Sequence, residues 1–269
     1  MATAAIVLLV GWIAWGNTAL ELNTYTIHSH KLPASFSGLR IAHVSDLHNT
    51  EIGDGNEKLL SMLQDAEPDL IAITGDLIDS RRTDINIAVD FAEKATKIAP
   101  CYYVTGNHEW ASGNVPSLKK TLADAGWTVL SNQYLQLNRN ESSLILAGID
   151  DPNGYADQKT PEELTAELYA ACGDPFWILL AHRNDRFVGQ YCLLGADLVV
   201  SGHGHGGVIR VPFTDGLLGT QHTLFPTHTA GLYEKNASAL FVSRGLGNVG
   251  ITFRLFNRPE VAILTLHKG

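Results

Sequence analysis

Two histidines in a glycine-rich run carry the clearest chemical signal of the sequence. His203 and His205 lie between Ser201 and Gly207, directly after the apolar stretch 196–200. The apolar stretch predicts a buried strand, and the glycines let the following backbone turn without obstruction by side chains. Both imidazoles would then emerge at a strand end, where they could bind a metal ion. Glycine-rich turns with a histidine also occur as ordinary loops, so this run alone leaves both interpretations open.

Four upstream apolar runs end in residues of the same chemical kind. They close on Asp46 with His48, on Asp76, on Asn107 with His108, and on His182. Asp46 and His48 are two residues apart, so they point to the same side of an extended chain. Carboxylate, amide and imidazole groups in one site suit Mn, Fe, Zn or a similar divalent ion. These ligand-type residues outnumber the four ligands of one tetrahedral ion, and their number suits two ions that share a carboxylate.

Composition limits the possible partners. The chain has 269 residues, of which 45% are hydrophobic, so it can bury the core of one large α/β domain. Its net charge of −9 argues against a polyanion-binding surface, and we expect no nucleic-acid partner. A bound phosphate would have to be attracted by cations other than side chains. The three cysteines form no Cys-x-x-Cys pair, which favours free thiols over a disulfide framework.

Strands and helices must alternate to position these strand ends. Helical spacing predicts helices at 57–66, 84–98, 116–125, 161–171 and near 185–194. Apolar runs and alternation predict strands at 22–27, 39–44, 69–74, 101–104, 127–130, 144–149, 176–180, 198–201, 208–211, 239–243 and 261–266. This order predicts a layered α/β sandwich of mixed sheets with helices outside.

Residues 1–20 are predicted to be an apolar membrane anchor, with the catalytic domain in residues 21–269. No charged residue lies between Ala2 and Leu20, and about 20 apolar residues span a bilayer. Gly16, Asn17 and Thr18 weaken the far end of this segment. A signal peptide and a buried N-terminal helix are the alternatives. We therefore expect a membrane-anchored protein; with the family resemblance described next, the expected location is the bacterial cell membrane, with an extracytoplasmic domain favoured.

Five motifs in this order resemble the calcineurin-like metallophosphoesterases. They are Asp46-x-His48, Gly75-Asp76, Gly106-Asn107-His108-Glu109, His182 and Gly202-His203-x-His205. The match runs from about Ile41 to the end of the chain. The segments 229–233, 243–248 and 256–260 look most like the membrane-anchored bacterial branch of that family. The resemblance implies a four-layer α/β/β/α sandwich of two mixed sheets.

The resemblance also implies a role for each motif residue. Asp46, His48 and His205 would hold one divalent metal ion, and Asn107, His182 and His203 the other. Asp76 would bridge the two ions. A water-derived oxygen would attack phosphorus in line, and His108 would protonate the departing oxygen as general acid. One departure is that the segment after His182 continues with Arg183 and Asn184, where much of the branch has a proline.

The implied activity is hydrolysis of a phosphate ester or pyrophosphate. The expected substrate is membrane-proximal, such as a phospholipid or a lipid-linked sugar nucleotide like UDP-diacylglucosamine. A nuclease or phosphoprotein phosphatase is the alternative, although the scattered Lys and Arg residues do not form the basic groove of a nuclease. A non-catalytic metal-containing scaffold is a further alternative, and the presence of His108 weighs against it. The sequence does not indicate an oligomeric state.

Three other sites have simpler interpretations. His43, on the first core strand, is expected to be a packed and hydrogen-bonded histidine. Asp150 and Asp151 are neighbours that point apart on a strand, so they predict a turn or a contact at the rim. Glu109 is expected to orient His108 or to lie on the surface.

Overall fold

The computed structural model describes residues 2–154, 158–211, 214–220, 223–248 and 254–269. The strands are β1 Glu21–Ser29, β2 Arg40–Val44, β3 Leu70–Thr74, β4 Cys101–Val104, β5 Thr128–Val129, β6 Gln133–Arg139, β7 Ser142–Gly148, β8 Trp177–Arg183, β9 Leu198–Gly202, β10 Gly231–Lys235, β11 Ser238–Val242 and β12 Glu260–Lys268. The α-helices are α1 Ala2–Thr18, α2 Glu57–Asp65, α3 Ile85–Ala95, α4 Asn107–Ser112, α5 Val115–Asp124 and α6 Pro161–Cys172.

The strands form two six-stranded mixed sheets. The first has the order β1-β12-β2-β3-β4-β5, and the second has the order β10-β11-β9-β8-β7-β6. In the first sheet β2, β3, β4 and β5 run parallel, and β12 is antiparallel to β2. In the second sheet β7, β8, β9 and β11 run parallel, with β6 and β10 as antiparallel edge strands.

Three apolar clusters separate four layers. Side chains of alternate residues on β3 point to opposite faces, so Ile71 and Ile73 pack against α2, α3 and α5, whereas Leu70 and Ala72 pack against the second sheet. The outer face of the second sheet packs against α6 and short turns. Both faces of the central strands are covered, which explains their continuous apolar runs. The predicted α/β/β/α sandwich of two mixed sheets is confirmed.

The carboxyl ends of the central parallel strands meet at one edge of this sandwich. The first sheet contributes the loops after β2, β3 and β4, and the second sheet contributes the loops after β8 and β9. These five loops, together with His182 near the end of β8, contain the motif residues that the sequence singled out. Parallel pairing therefore collects residues that are far apart in the chain, as is usual at the carboxyl edge of α/β sheets.

Some predicted elements are wrong. The helix expected near 185–194 consists of two short 3₁₀ turns, Asn184–Arg186 and Tyr191–Leu193, because Gln190 between them is not helical. The strand expected at 208–211 makes only isolated bridges to neighbouring loops. The edge strands β6 and β10 were not predicted, since their largely exposed side chains leave little apolar pattern.

The expected membrane-anchored location is also wrong. Helix α1 has 17 residues and ends at Thr18. Its last turn is polar and contacts the folded domain, since the Asn17 side chain accepts a hydrogen bond from the backbone N–H of Arg254 at 2.9 Å. Across the described ranges, no helix combines the length and apolar character needed to cross a membrane.

Candidate metal centre

The first group of candidate ligands contains residues from both sheets. Asp46 and His48 follow β2, and His205 follows β9 in the second sheet. Nε2 of His205 lies 3.3 Å from Oδ1 of Asp46, and Nε2 of His48 lies 3.8 Å from the same oxygen. The two Nε2 atoms are 3.1 Å apart. All three side chains are buried, so their donor atoms face one another away from solvent.

The second group lies beside the first. Nε2 of His182 is 3.2 Å from Oδ2 of Asp76, 3.1 Å from Oδ1 of Asn107 and 3.2 Å from Nδ1 of His203. Oδ2 of Asp76 is also 3.7 Å from Nε2 of His48, which belongs to the first group. Asp76 therefore lies between the two groups, and all the metal-ligand candidates from the sequence meet in one place.

The backbone at the candidate ligands is unusual. Asp46, His48, Asp76, His203 and His205 have φ angles of 55°, 48°, 52°, 63° and 44°, in the left-handed region. This region costs a non-glycine residue on the order of 1 kcal/mol or more and persists only where surrounding contacts enforce it. Here the loop after β2 pairs with the loop after β3, since the N–H of His48 donates to the carbonyl of Asp76 at 2.9 Å. Left-handed backbone at five ligand-type residues of one cluster is the kind of strain found at functional sites.

Two glycines make room for the carboxylates. A Cβ at Gly202 would overlap the side chains of Ser45 and Asp46, and a Cβ at Gly106 would overlap the carboxylate of Asp76. Any larger residue at either position would push a carboxylate out of place. The glycines of the motifs are therefore needed for the close approach of backbone to ligand.

A chain of hydrogen bonds supports Asp46 from behind. Oγ of Ser45 donates to Oδ2 of Asp46 at 2.6 Å, and Oγ1 of Thr74 donates to Oγ of Ser45 at 2.9 Å. Nε2 of His43 lies 2.7 Å from Oγ1 of Thr74 at the far end of the chain. His43 is fully buried, and burial lowers its pKa to about 3. It is thus the packed, hydrogen-bonded histidine that the sequence indicated.

Glu109 connects two of the loops. Its buried carboxylate accepts the backbone N–H of Gly106 at 2.6 Å, of Asp76 at 2.9 Å and of Leu77 at 2.7 Å. Burial and the charge of Asp76 raise the pKa of Glu109 to about 7. The backbone donors oppose this shift, because they favour the ionised form. The hydrogen bonds of the Glu109 carboxylate therefore go to backbone that positions Asp76. Glu109 is buried rather than on the surface, and it is Ser80 that bonds Nδ1 of His108.

His108 lies on the first turn of α4, next to Asn107. Its backbone N–H donates to Oδ1 of Asp76 at 2.8 Å, and its ring packs against that of His48, with centroids 4.6 Å apart. The backbone N–H of Ser80 donates to Nδ1 of His108 at 3.1 Å. Because Nδ1 accepts this hydrogen bond, the ring proton of neutral His108 belongs on Nε2.

The electrostatics suit a metal site. Burial alone would raise the pKa of both carboxyls, but the imidazoles, chiefly His205 for Asp46 and His182 for Asp76, hold both well below their usual range. Burial lowers the pKa of His48 to about 3 and that of His203 well below its usual value. Ionised carboxylates and neutral imidazoles are the forms that bind metal ions.

His182 behaves differently from the other imidazoles. Burial alone would lower its pKa, but the adjacent Asp76 carboxylate raises it to about 10. A proton on His182 therefore compensates Asp76 when no other cation does.

Divalent ions fit this donor set. The carboxylate and imidazole atoms of Asp46, His48 and His205 lie within 4.8 Å of one another, as do those of Asp76, His182 and His203. Neutral imidazole nitrogens and ionised carboxylate oxygens are metal ligands, so each group could bind a cation.

The sequence interpretation missed one buried ion pair beside these groups. Nε of Arg183 donates to Oδ2 of Asp151 at 2.6 Å, and the Asp151 side chain is fully buried. Asp150, also buried, accepts from Thr105 and Lys119, so neither acid forms a rim contact. Asp151 instead begins a turn, which was the other expectation, since its carbonyl accepts the backbone N–H of Gly154 at 2.9 Å. The pairing of Asp151 with Arg183 joins residues from different strand ends, and nothing in the local sequence pattern indicates it.

Comparison with known proteins gives consistent matches. A sequence model described as calcineurin-like phosphoesterase matches residues 39–207. The uncharacterized metallophosphoesterase YkuE of Bacillus subtilis is 28% identical over 254 residues, covering 92% of this chain and 85% of that protein. A Danio rerio protein described as a transmembrane protein with metallophosphoesterase domain is 29% identical over 249 residues, covering 89% of this chain and 55% of that protein. Among solved structures, TT1561 of Thermus thermophilus aligns with a TM-score of 0.49 and 14% identity, covering 78% of this chain and 90% of that one.

Proposed function

Because the chain belongs to the calcineurin-like phosphoesterase family, and is thus a metal-dependent phosphoesterase, we propose that its buried donor groups hold two divalent ions. Asp46, His48 and His205 would hold one ion, and Asn107, His182 and His203 the other, with Asp76 shared. The observation that carries the proposal is the position of Asp76, 3.2 Å from His182 and 3.7 Å from His48. The mixture of oxygen and nitrogen ligands favours Mn, Fe or Zn over Mg or Ca.

The two ions would supply Lewis-acid stabilisation of a phosphoryl group and lower the pKa of a water for attack on phosphorus. The protein itself contributes the fixed geometry of the ligands and a proton donor. Ser80 holds Nδ1 of His108, so Nε2 carries the proton that the departing oxygen requires. His108 is therefore proposed as the general acid of phosphate ester hydrolysis.

The identity of the substrate is a separate question. A lipid-linked substrate such as UDP-diacylglucosamine was expected from the predicted membrane anchor. The reaction class does not depend on that substrate. A phosphomonoester, a phosphodiester and a lipid-linked diphosphate should be compared as substrates of the purified metal-loaded protein.

The test of the proposed function is the dependence of His108→Ala on the leaving group. General acid catalysis contributes about 10²- to 10⁴-fold, so His108→Ala should lower kcat by such a factor for an alkyl phosphate ester. A nitrophenyl ester should be much less affected, because nitrophenolate departs without a proton. Metal content, measured by elemental analysis, should remain that of the unmodified protein.

His28→Ala is a matched control, because His28 is exposed on β1. It should leave both rates unchanged. Equal losses for the two esters in His108→Ala would contradict the acid role. A metal-loaded protein that hydrolyses no phosphate ester would instead favour the non-catalytic scaffold.

A further inference from the structure

Asn257 is a buried asparagine that holds the turn carrying His205. It lies in the loop before β12, and its Nδ2 donates to the backbone carbonyl of His205 at 2.6 Å and to that of Val208 at 3.2 Å. Residues 205–208 have φ angles of 44°, 63°, 70° and 39°. Val208 is β-branched, and such a residue adopts a positive φ only where its surroundings enforce it. Asn257 bonds both ends of this turn and is therefore one of the contacts that enforce it.

The orientation of the Asn257 amide follows from its neighbours. The carbonyls of His205 and Val208 are both acceptors, so the NH₂ end of the amide must face them. A Cβ at Gly206 would overlap the Asn257 side chain, which shows how closely the amide lies against the turn. From the same turn the His205 imidazole extends towards Asp46, and its Nε2 lies 3.3 Å from Oδ1 of that carboxylate. Asn257 thus fixes the backbone that carries a candidate metal ligand.

Arg254 holds a neighbouring segment, residues 244–248. Its buried guanidinium group donates to the backbone carbonyls of Arg244 at 2.9 Å and of Gly247 at 2.5 Å. The backbone N–H of Gly247 donates in turn to the carbonyl of Asp46 at 2.6 Å. Arg254 therefore keeps this segment against the loop that carries another candidate ligand.

Both contacts reach the same group of candidate ligands. Asp46 and His205 belong to the first group, in which they come from different sheets. Within the described ranges, no hydrogen bond joins residues 243–248 or 254–258 to the other group, Asn107, His182 and His203. The family model matches residues 39–207, so the supporting segments lie outside the matched part of the chain.

We propose that Asn257 and Arg254 are positioning residues for one of the two ions, the one assigned to Asp46, His48 and His205. This inference depends on the proposed function, because it requires an ion in that group. Asn257 acts through the backbone of His205, and Arg254 acts through the backbone of Asp46. Neither side chain binds the ion itself. Together they fix the separation of two ligands that belong to different sheets.

The test resolves the two binding steps of Mn²⁺. Metal-free protein is titrated with Mn²⁺ in competition with a metal-binding dye, and the ions retained are counted by elemental analysis. Residues that orient metal ligands typically contribute about 10- to 100-fold to metal affinity, so Asn257→Ala should weaken one step by such a factor and leave the other nearly unchanged. His205→Gln identifies the affected step, because it removes a ligand of only one ion.

A double variant shows whether Asn257 acts through His205. Residues that act on one ligand are not additive in their effects, whereas independent sites are. The combination of Asn257→Ala with His205→Gln should therefore weaken the affected step no more than His205→Gln does alone. A general loss of structural integrity would instead add to the loss caused by His205→Gln.

Two further variants test the same contacts without a cavity at Asn257. Asn257→Leu keeps nearly the volume of the side chain but has no donor, so it should weaken the same step even where Asn257→Ala proves too unstable to purify. Arg254→Lys should also weaken this step, because a single ammonium group replaces the planar fork that bonds several acceptors.

Asn56→Ala is the matched control. Asn56 is a buried asparagine whose Oδ1 accepts the backbone N–H of Ile52 at 3.0 Å, in a loop without a candidate ligand. This substitution should lower the stability of metal-free protein in urea unfolding without changing either metal-binding step. Equal weakening of both steps in Asn257→Ala overturns the proposal, since the side chain would then support the fold as a whole. Unchanged affinity in both steps, or a loss that adds fully to that of His205→Gln, also overturns it.

The result is separable from the proposed function. If no phosphate ester is hydrolysed but Mn²⁺ binds in two steps, of which one depends on Asn257, the positioning role stands and the hydrolase proposal fails. If esters are hydrolysed and Asn257→Ala weakens both steps equally or neither step, the positioning role fails and the hydrolase proposal stands.

Discussion

His182 is the imidazole whose charge state depends most on a neighbouring residue. It lies 3.2 Å from Asp76, which raises its pKa to about 10, so it is protonated at neutral pH in metal-free protein. A metal ion must displace this proton, because only the deprotonated nitrogen can be a ligand. Metal binding and proton binding therefore compete at this residue.

We expect metal binding at about pH 8 to release roughly one proton that comes from His182. The sign follows from the raised pKa: below it the folded metal-free protein holds the proton, so metal affinity increases with pH. Calorimetric titration in buffers of different ionisation enthalpy measures the number released. His182→Gln should bind metal more weakly and without that proton. The same proton release in His182→Gln and in the unmodified protein would contradict this assignment.

Ser45 tests the hydrogen-bond chain behind Asp46. Its hydroxyl donates to the Asp46 carboxylate at 2.6 Å and receives a hydrogen bond from Thr74. Groups that orient a metal ligand typically contribute about 10- to 100-fold to metal affinity. Ser45→Ala should therefore weaken metal binding by such a factor, measured by competition with a metal-binding dye.

The control for Ser45 is Ser201→Ala. Ser201 is equally buried on β9, and its hydroxyl has no hydrogen-bond partner in the described ranges. This substitution should leave metal affinity nearly unchanged. Equal effects of the two substitutions would show that the chain from Thr74 to Asp46 does not support the ligand.

At the scale of the elements, the strand-end loops depend on one another. The loop after β3 carries Asp76, and the loop after β4 leads into α4 with Asn107 and His108. Glu109 binds backbone N–H groups in both loops, at 2.6–2.9 Å for Gly106, Asp76 and Leu77. One side chain of a short helix thus sets the distance between two ligand-bearing segments.

Glu109→Gln should destabilise the protein and disturb the metal centre together. The amide has one oxygen acceptor and brings N–H donors against backbone donors, so the free energy of unfolding should fall by about 2–3 kcal/mol. Urea unfolding, with and without added metal, measures this change. Glu93→Gln on exposed α3 surface is the control and should change stability by less than about 0.5 kcal/mol. Unchanged stability in Glu109→Gln would contradict the role of Glu109 in holding the two loops together.

On the scale of the whole molecule, the metal centre crosses the boundary between the two sheets. Asp46, His48 and Asp76 come from the first sheet, whereas His182, His203 and His205 come from the second. Bound ions would therefore hold the carboxyl edges of both sheets together. Without them, buried carboxylates and imidazoles of both sheets face one another, and the proton of His182 compensates Asp76.

Metal removal should lower the stability of the whole fold. A ligand present at about a hundredfold excess over its Kd stabilises the folded state by about 2.7 kcal/mol. Thermal unfolding after chelation and dialysis should therefore show a lower Tm, which rises again with the concentration of added Mn or Zn. Asp76→Asn should largely lose this response. A Tm that is independent of metal would contradict a centre that joins the sheets.

Much of the architecture was predictable because the spacing of apolar residues along the chain reflects which side chains are buried. Both faces of β3 and β9 are covered, so their sequences are continuous apolar runs with clear ends. The edge strands β6 and β10 were not predictable in this way, since they pair with a single neighbour and remain largely exposed. The membrane anchor was predicted from composition alone, which does not show that Asn17 contacts the folded domain.

The sequence by itself determined which residues could act at the site, because motifs at strand ends combine ligand-type side chains with the glycines that their backbone needs. The tertiary structure decided how these side chains are arranged and what supports them. The contacts of Ser45, Glu109, Ser80 and the Asp151–Arg183 pair join residues about 30 positions apart or immediate neighbours. The long-range contacts arise only when parallel strands bring their ends to one edge, and the free energy of a buried polar contact depends on that three-dimensional environment rather than on local sequence.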